Sequence, residues 1–129
     1  MTSLRTLSPF PDRETAIPWI EIDARFASLA SQNPVFEPLA NLAHHLAVSG
    51  FVQAGLCGAT SMHDIVLGPS AYVFQNPHLR VEYDFDAKSF KMVYVDGSIP
   101  PWERTVATAE INDAVFRFLT KRARWYHDP

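Results

Sequence analysis

Apolar and polar residues alternate along one stretch of the chain, and that alternation predicts its scaffold. From Leu79 to Asp86, one set of positions carries Leu79, Val81, Tyr83 and Phe85, and the other carries Arg80, Glu82, Asp84 and Asp86. From Ser89 to Val95, Phe90, Met92 and Tyr94 fall on one side, with Ser89, Lys91, Val93 and Val95 on the other. Strand side chains point to opposite faces with a period of two, so these runs predict an antiparallel hairpin closing around residues 86–89. With Phe85 opposite Phe90, Tyr83 faces Met92, Val81 faces Tyr94, and Asp84 faces Lys91 as an opposite-charge cross-strand pair. Upstream, residues 71–75 read as a third strand, joined through the turn-forming Asn76, Pro77, His78 and Leu79. That strand sets Phe74 opposite Val81 and Tyr72 opposite Tyr83. All three strands then share one aromatic face, which helices must cover.

Helical spacing flanks this sheet. Trp19, Ile22, Phe26 and Leu29 predict a helix over 17–32, with Pro18 in its first turn. An alternative is a short strand at 19–22 with Asp23 capping a shorter helix. Leu39, Leu42, Ala43 and Leu46 predict a second helix over 37–49, ended by a Schellman stop at Gly50 and Phe51. Residues 51–69 are broken by Gly55, Gly58, Gly68 and Pro69, with one further strand at 63–67. Residues 103–107 read as another strand beside Phe90–Val95. Ile111, Ala114, Val115, Phe118, Leu119, Arg122 and Trp125 predict a last amphipathic helix over 109–126, with Thr108 as its N-cap. The expected fold is α+β: an antiparallel sheet of three to five strands with helices packed on one face. An N-terminal arm (1–16), broken by Pro9 and Pro11, precedes a single domain (17–129).

Composition narrows the function classes. The chain has 129 residues, one cysteine and a formal net charge of −3. One domain of this size buries roughly two-thirds of its unfolded surface, so it needs no disulfide framework. The acidic balance argues against nucleic acid as a partner. No apolar run approaches a membrane span and no charged segment leads into an apolar one at the start. The expected compartment is the reducing cytoplasm.

Candidate chemistry is sparse. Cys57, His63 and Asp64 supply a nucleophile, a base and an orienting acid close in sequence, which a thiol enzyme requires; the plain alternative is a small buried cysteine beside two loop polars. His44 and His45 are adjacent on a helix, about 100° apart, and cannot grip one metal ion as an i, i+4 pair does. Glu82, Asp84 and Asp86 share a strand face with Arg80 and Lys91 beside them, as on an ordinary salt-laced surface. Arg117, Lys121 and Arg124 form a basic stripe, suited to an acidic partner or simply to the carbonyl end of a helix. Arg122 points with the buried residues and is expected to pair with a carboxylate or stack on Trp125. No phosphate loop, CxxC, HExxH or GxSxG occurs. No cofactor or metal is expected.

The leading expectation is therefore a protein-binding module. Its surface is the outer sheet face, where Val73, Val93 and Val95 lie among Gln75, Arg80, Glu82, Asp84 and Lys91, an apolar centre with a charged rim. The hairpin YDFDAKSFKMVYVDG and the following helix TAEINDAVFRFLTKRARW resemble small immunity proteins of bacterial toxin–immunity systems, over about half the chain. The resemblance implies tight binding to one cognate toxin, blocking its active site or its delivery, and it transfers no individual residue. A homodimer is a variant of this reading. The alternatives are a small thiol-dependent enzyme using Cys57, His63 and Asp64, and a small-ligand domain lined by Tyr72, Tyr83 and Tyr94.

Overall fold

The computed structural model describes residues 15–126. Helix α1 (Trp19–Gln32) buries Trp19, Ile22 and Phe26, one stripe at i, i+3 and i+7. Pro18 stands just before it at the cap position. The helix gives way at Asn33, whose side-chain oxygen accepts the Val35 N–H at 3.1 Å and starts a 3₁₀ turn, Pro34–Phe36. Helix α2 (Glu37–Ala47) follows and buries Leu39, Leu42, Ala43 and Leu46 completely. Each such leucine contributes about 1.5–3 kcal/mol by leaving water.

The Schellman stop expected at Gly50 and Phe51 does not form: α2 ends at Ala47, and a stop of this kind closes the next helix instead. Gly50 is the first residue of a short helix α3 (Gly50–Gln53). The motif closes on Gly55, which has φ +110°. There the Leu56 N–H bonds to the Phe51 carbonyl at 2.9 Å and the Gly55 N–H to Val52 at 3.1 Å, the two bonds that define the stop.

Five strands follow: β1 (Cys57–Ser61), β2 (Asp64–Gly68), β3 (His78–Asp84), β4 (Ser89–Val95) and β5 (Trp102–Ala107). They pair antiparallel in chain order. Two expectations are corrected here. Residues 71–75 form no strand, and β3 pairs instead with β2, Ile65 opposite Val81 and Leu67 opposite Leu79. The β3–β4 register is also offset by two residues. Tyr83 faces Phe90, Val81 faces Met92, and Glu82 rather than Asp84 faces Lys91. Asp84 explains the offset, because its Oδ1 accepts the N–H groups of Asp86 and Ala87, both at 3.0 Å, and folds residues 85–88 into the turn.

The helices lie on one face. Ile65, Leu67, Leu79, Val81, Phe90 and Met92 pack there with α1 and α2. Gly58 lets the Trp19 ring sit against β1, since an added Cβ would come within 2.6 Å of Cζ2. The last helix is shorter and less regular than its sequence suggests. A 3₁₀ turn (Thr108–Glu110) leads into α4 (Ile111–Arg117), then a π-helical turn, Phe118–Arg122. Thr108 does not cap it; its hydroxyl donates to the Lys88 carbonyl at 2.8 Å. Residues 1–14, most of the expected arm, lie outside the described region. Ala16 and Ile17 run beside β1, the Ile17 N–H bonding to the Gly58 carbonyl at 2.9 Å. No helix among the described residues is long and apolar enough to cross a membrane.

Candidate functional site

The expected interface on the outer sheet face loses its apolar centre. Val73 is only 1% exposed and packs with Ala59 and Val66, partly screened by Ala16, Cys57 and Phe74. It comes from the loop after β2, which folds over the open side of β1 and β2 against Gly68. Val93 is 8% exposed. Gln75 is exposed, its carbonyl facing Nδ1 of His78 at 3.2 Å. Of the three valines only Val95 stays part-exposed. Around it Arg80 reaches Asp64 at 3.8 Å and Lys91 reaches Glu103 at 3.3 Å, while Asp84 is engaged by its turn. The face is a charged surface over a small private core.

Cys57 and His63 stand at opposite ends of the β1–β2 hairpin. Cys57 pairs with Gly68, and His63 lies in the turn between Ser61 and Asp64. The two ends of β1, Cys57 and Ser61, are four residue steps apart, about 13 Å. The thiol donates to the Gly55 carbonyl at 3.4 Å, and burial raises its pKa. His63 instead packs edge-on against Phe36 at 4.9 Å. Burial and the neighbouring Glu82 raise the Asp64 carboxyl, opposed by Arg80 and His63. Nucleophile, base and orienter are not assembled. Nor are the three tyrosines: Tyr72 is exposed in the loop, and Tyr83 and Tyr94 occupy opposite ends of the β3–β4 ladder. His44 faces Asp23 at 3.1 Å on the surface, and His45 is exposed. No group of three or more His, Cys, Asp or Glu among the described residues could hold a metal ion.

The structure builds a different site at the end of the chain. The π-helical turn lets the Ala123 N–H reach the Phe118 carbonyl at 2.8 Å. Arg124 then adopts φ +56°, a left-handed backbone that reverses the chain, and the Trp125 N–H returns to the Leu119 carbonyl at 3.0 Å. This reversal sets Tyr126 against Phe51, with ring centres 5.6 Å apart. Phe116, just off the buried stripe of α4, stands edge-on to Phe51 at 5.2 Å. Between α3 and α4 these rings line an open groove of about 760 Å³, with Ala54, Thr120 and Trp125 completing its walls and Asp113, Arg117 and Lys121 at its polar positions.

The Tyr126 hydroxyl, like any ordinary phenol, is protonated at neutral pH, and burial, with Cys57 nearby as the lesser cause, raises its pKa further. The groove can therefore grip an apolar side chain and offer hydrogen bonds around it. Beyond Trp125 lies a second, polar depression of about 550 Å³ containing Tyr94, Asp96 and Arg122. Arg122 does stack on an indole, that of Trp102 at 4.9 Å rather than Trp125.

Sequence reasoning reached the basic residues of the groove and missed Phe51, Ala54, Phe116 and Tyr126. One signal was present: Phe116 is a large aromatic off the buried stripe, next to Arg117. Comparison of the chain with protein-family models, curated proteins and solved structures finds no match.

Proposed function

We propose that this chain is a protein-binding module whose working surface is the groove between α3 and α4. One observation carries the reading: four aromatic rings, Phe51, Phe116, Trp125 and Tyr126, converge on an open groove rimmed by charged side chains. Aromatic residues and arginine dominate binding energy where a partner excludes water from them. The resemblance of the hairpin and last helix to immunity proteins supports one specific form, an inhibitor that binds and neutralises a cognate toxin. Affinity capture from the native host, with co-expression of the captured protein, tests it. The expected result is a stoichiometric partner whose toxicity to growth this chain relieves. Capture of no stoichiometric partner contradicts the module, and a captured partner that is harmless contradicts the inhibitor.

A second reading is a small-ligand site, favoured by a groove volume inside the roughly 300–1,000 Å³ range of ligand pockets. Its test is a rise in melting temperature with an apolar ligand, lost when the groove is obstructed.

A further inference from the structure

We infer that the occupant of this groove is an acidic segment of a protein partner, anchored by one aromatic or branched aliphatic side chain; the inference rests on the protein-binding reading. Charge carries it. Residues 113–126 hold four of the chain's eleven cations (Arg117, Lys121, Arg122, Arg124) and one of its fourteen acids, Asp113. That segment has a formal charge of +3 on a chain of −3. The carbonyl end of α4 favours cations, which accounts for basic residues there; Arg117 and Lys121 are the two that line the groove, beside Asp113, while Arg122 lies over Trp102.

The single acid of this segment is weakly committed. Asp113 and Arg117 form an i, i+4 pair at 3.2 Å with both side chains mostly exposed. Exposed pairs of this kind contribute little to stability, so a partner carboxylate exchanges for Asp113 at small cost. The groove floor supplies the other half of the recognition, because Phe51, Phe116 and Tyr126 offer ring faces and edges to an apolar anchor. With two cations to one acid, the groove's rim favours an acidic segment over a basic one.

The test is a random peptide library displayed on phage, selected against the wild-type chain, against Gly50→Gln and against the double variant Arg117→Gln/Lys121→Gln. Gly50 lines the groove, and a Cβ added there meets nothing within 4 Å, so Gly50→Gln obstructs the groove without disturbing the fold; circular dichroism checks this. Enriched peptides are expected to combine Asp or Glu with Trp, Phe or Leu. A synthetic copy should bind the wild type about tenfold tighter than its Lys-for-Glu counterpart, and lose about tenfold on the double variant. Its affinity should fall between about 0.05 and 0.5 M salt.

Enriched peptides without an acidic excess that still require Gly50 would overturn the charge inference and leave the groove reading intact. Peptides that bind Gly50→Gln equally well would overturn the groove reading itself. A dimer in light scattering that Gly50→Gln disperses would assign the groove to a second copy and overturn the inference. Tighter binding to phosphatidylglycerol vesicles than to any peptide would assign it to a membrane, with the same consequence.

Discussion

The ring of Phe116 meets the ring of Phe51 edge-on, 5.2 Å between centres and 80° between planes. Phe51 is anchored in the core by the Gly55 turn, whereas Phe116 is half-buried on the flank of α4. The contact ties the two walls of the groove together. A double-mutant cycle with Phe51→Ala and Phe116→Ala should give a coupling of about 0.5–1.5 kcal/mol in urea unfolding. Additive losses would show that the rings do not interact.

Gly58 fixes how close α1 comes to the sheet. The Trp19 ring occupies the space of its missing Cβ, Ile22 Cδ1 lies at 3.1 Å, and the Trp19 indole N–H donates to the Leu56 carbonyl at 2.8 Å. Because the ring is pinned by that bond it cannot swing aside. Gly58→Ala should therefore cost about 1–3 kcal/mol, the range for overpacking, read as a lower urea midpoint with an unchanged slope.

Arg124 occupies the left-handed position that ends the π-helical turn, at φ +56°. Glycine adopts that conformation without the Cβ clash of about 1–2 kcal/mol. What the side chain stands to lose is a long 3.5 Å bond from Nε to the Lys121 carbonyl. Arg124→Gly should raise stability by about 1 kcal/mol in urea unfolding. A loss instead would mean that the guanidinium, and not the backbone, holds the reversal.

His78 is buried at the start of β3. Burial lowers its pKa, with a smaller push from Arg80, against the raising effect of the Gln75 carbonyl, 3.2 Å from Nδ1. The folded chain thus binds fewer protons than the unfolded one just below the ordinary histidine range. Stability rises with pH wherever the unfolded state binds more protons. The neutral imidazole's contribution is present above that range and is lost as pH falls from the unfolded pKa towards and through the lowered folded one. Wild type should lose more stability than His78→Gln on going from about pH 7 to about pH 5.5. Parallel pH profiles would contradict this.

The parts of the fold legible from sequence were those with clean periodicity. Leu79–Val81 and Phe90–Met92 alternate, and they occupy the predicted face. The two-residue register offset was invisible because a shift of two keeps every side chain on its face; only the grip of Asp84 on its own turn sets it. The run Ile65, Val66, Leu67 does not alternate, because Ile65 and Leu67 face the helices while Val66 faces Val73. Tyr72, Val73 and Phe74 have high strand propensity yet form a loop, since the edge of β3 that they were assigned is already held by β2. The groove escaped notice because it arises from a chain reversal at Arg124, and no periodic pattern announces a left-handed arginine.

The central claim is that partner binding runs through the groove and not through the outer sheet face. Affinity measured for one captured partner against three forms of the chain tests it most directly: wild type, Gly50→Gln, and Glu82→Ala/Lys91→Ala on the outer face. The account predicts a loss of about tenfold or more for Gly50→Gln, about 1.4 kcal/mol, with the outer-face variant close to wild type. Full affinity in Gly50→Gln together with a loss in the outer-face variant would contradict it.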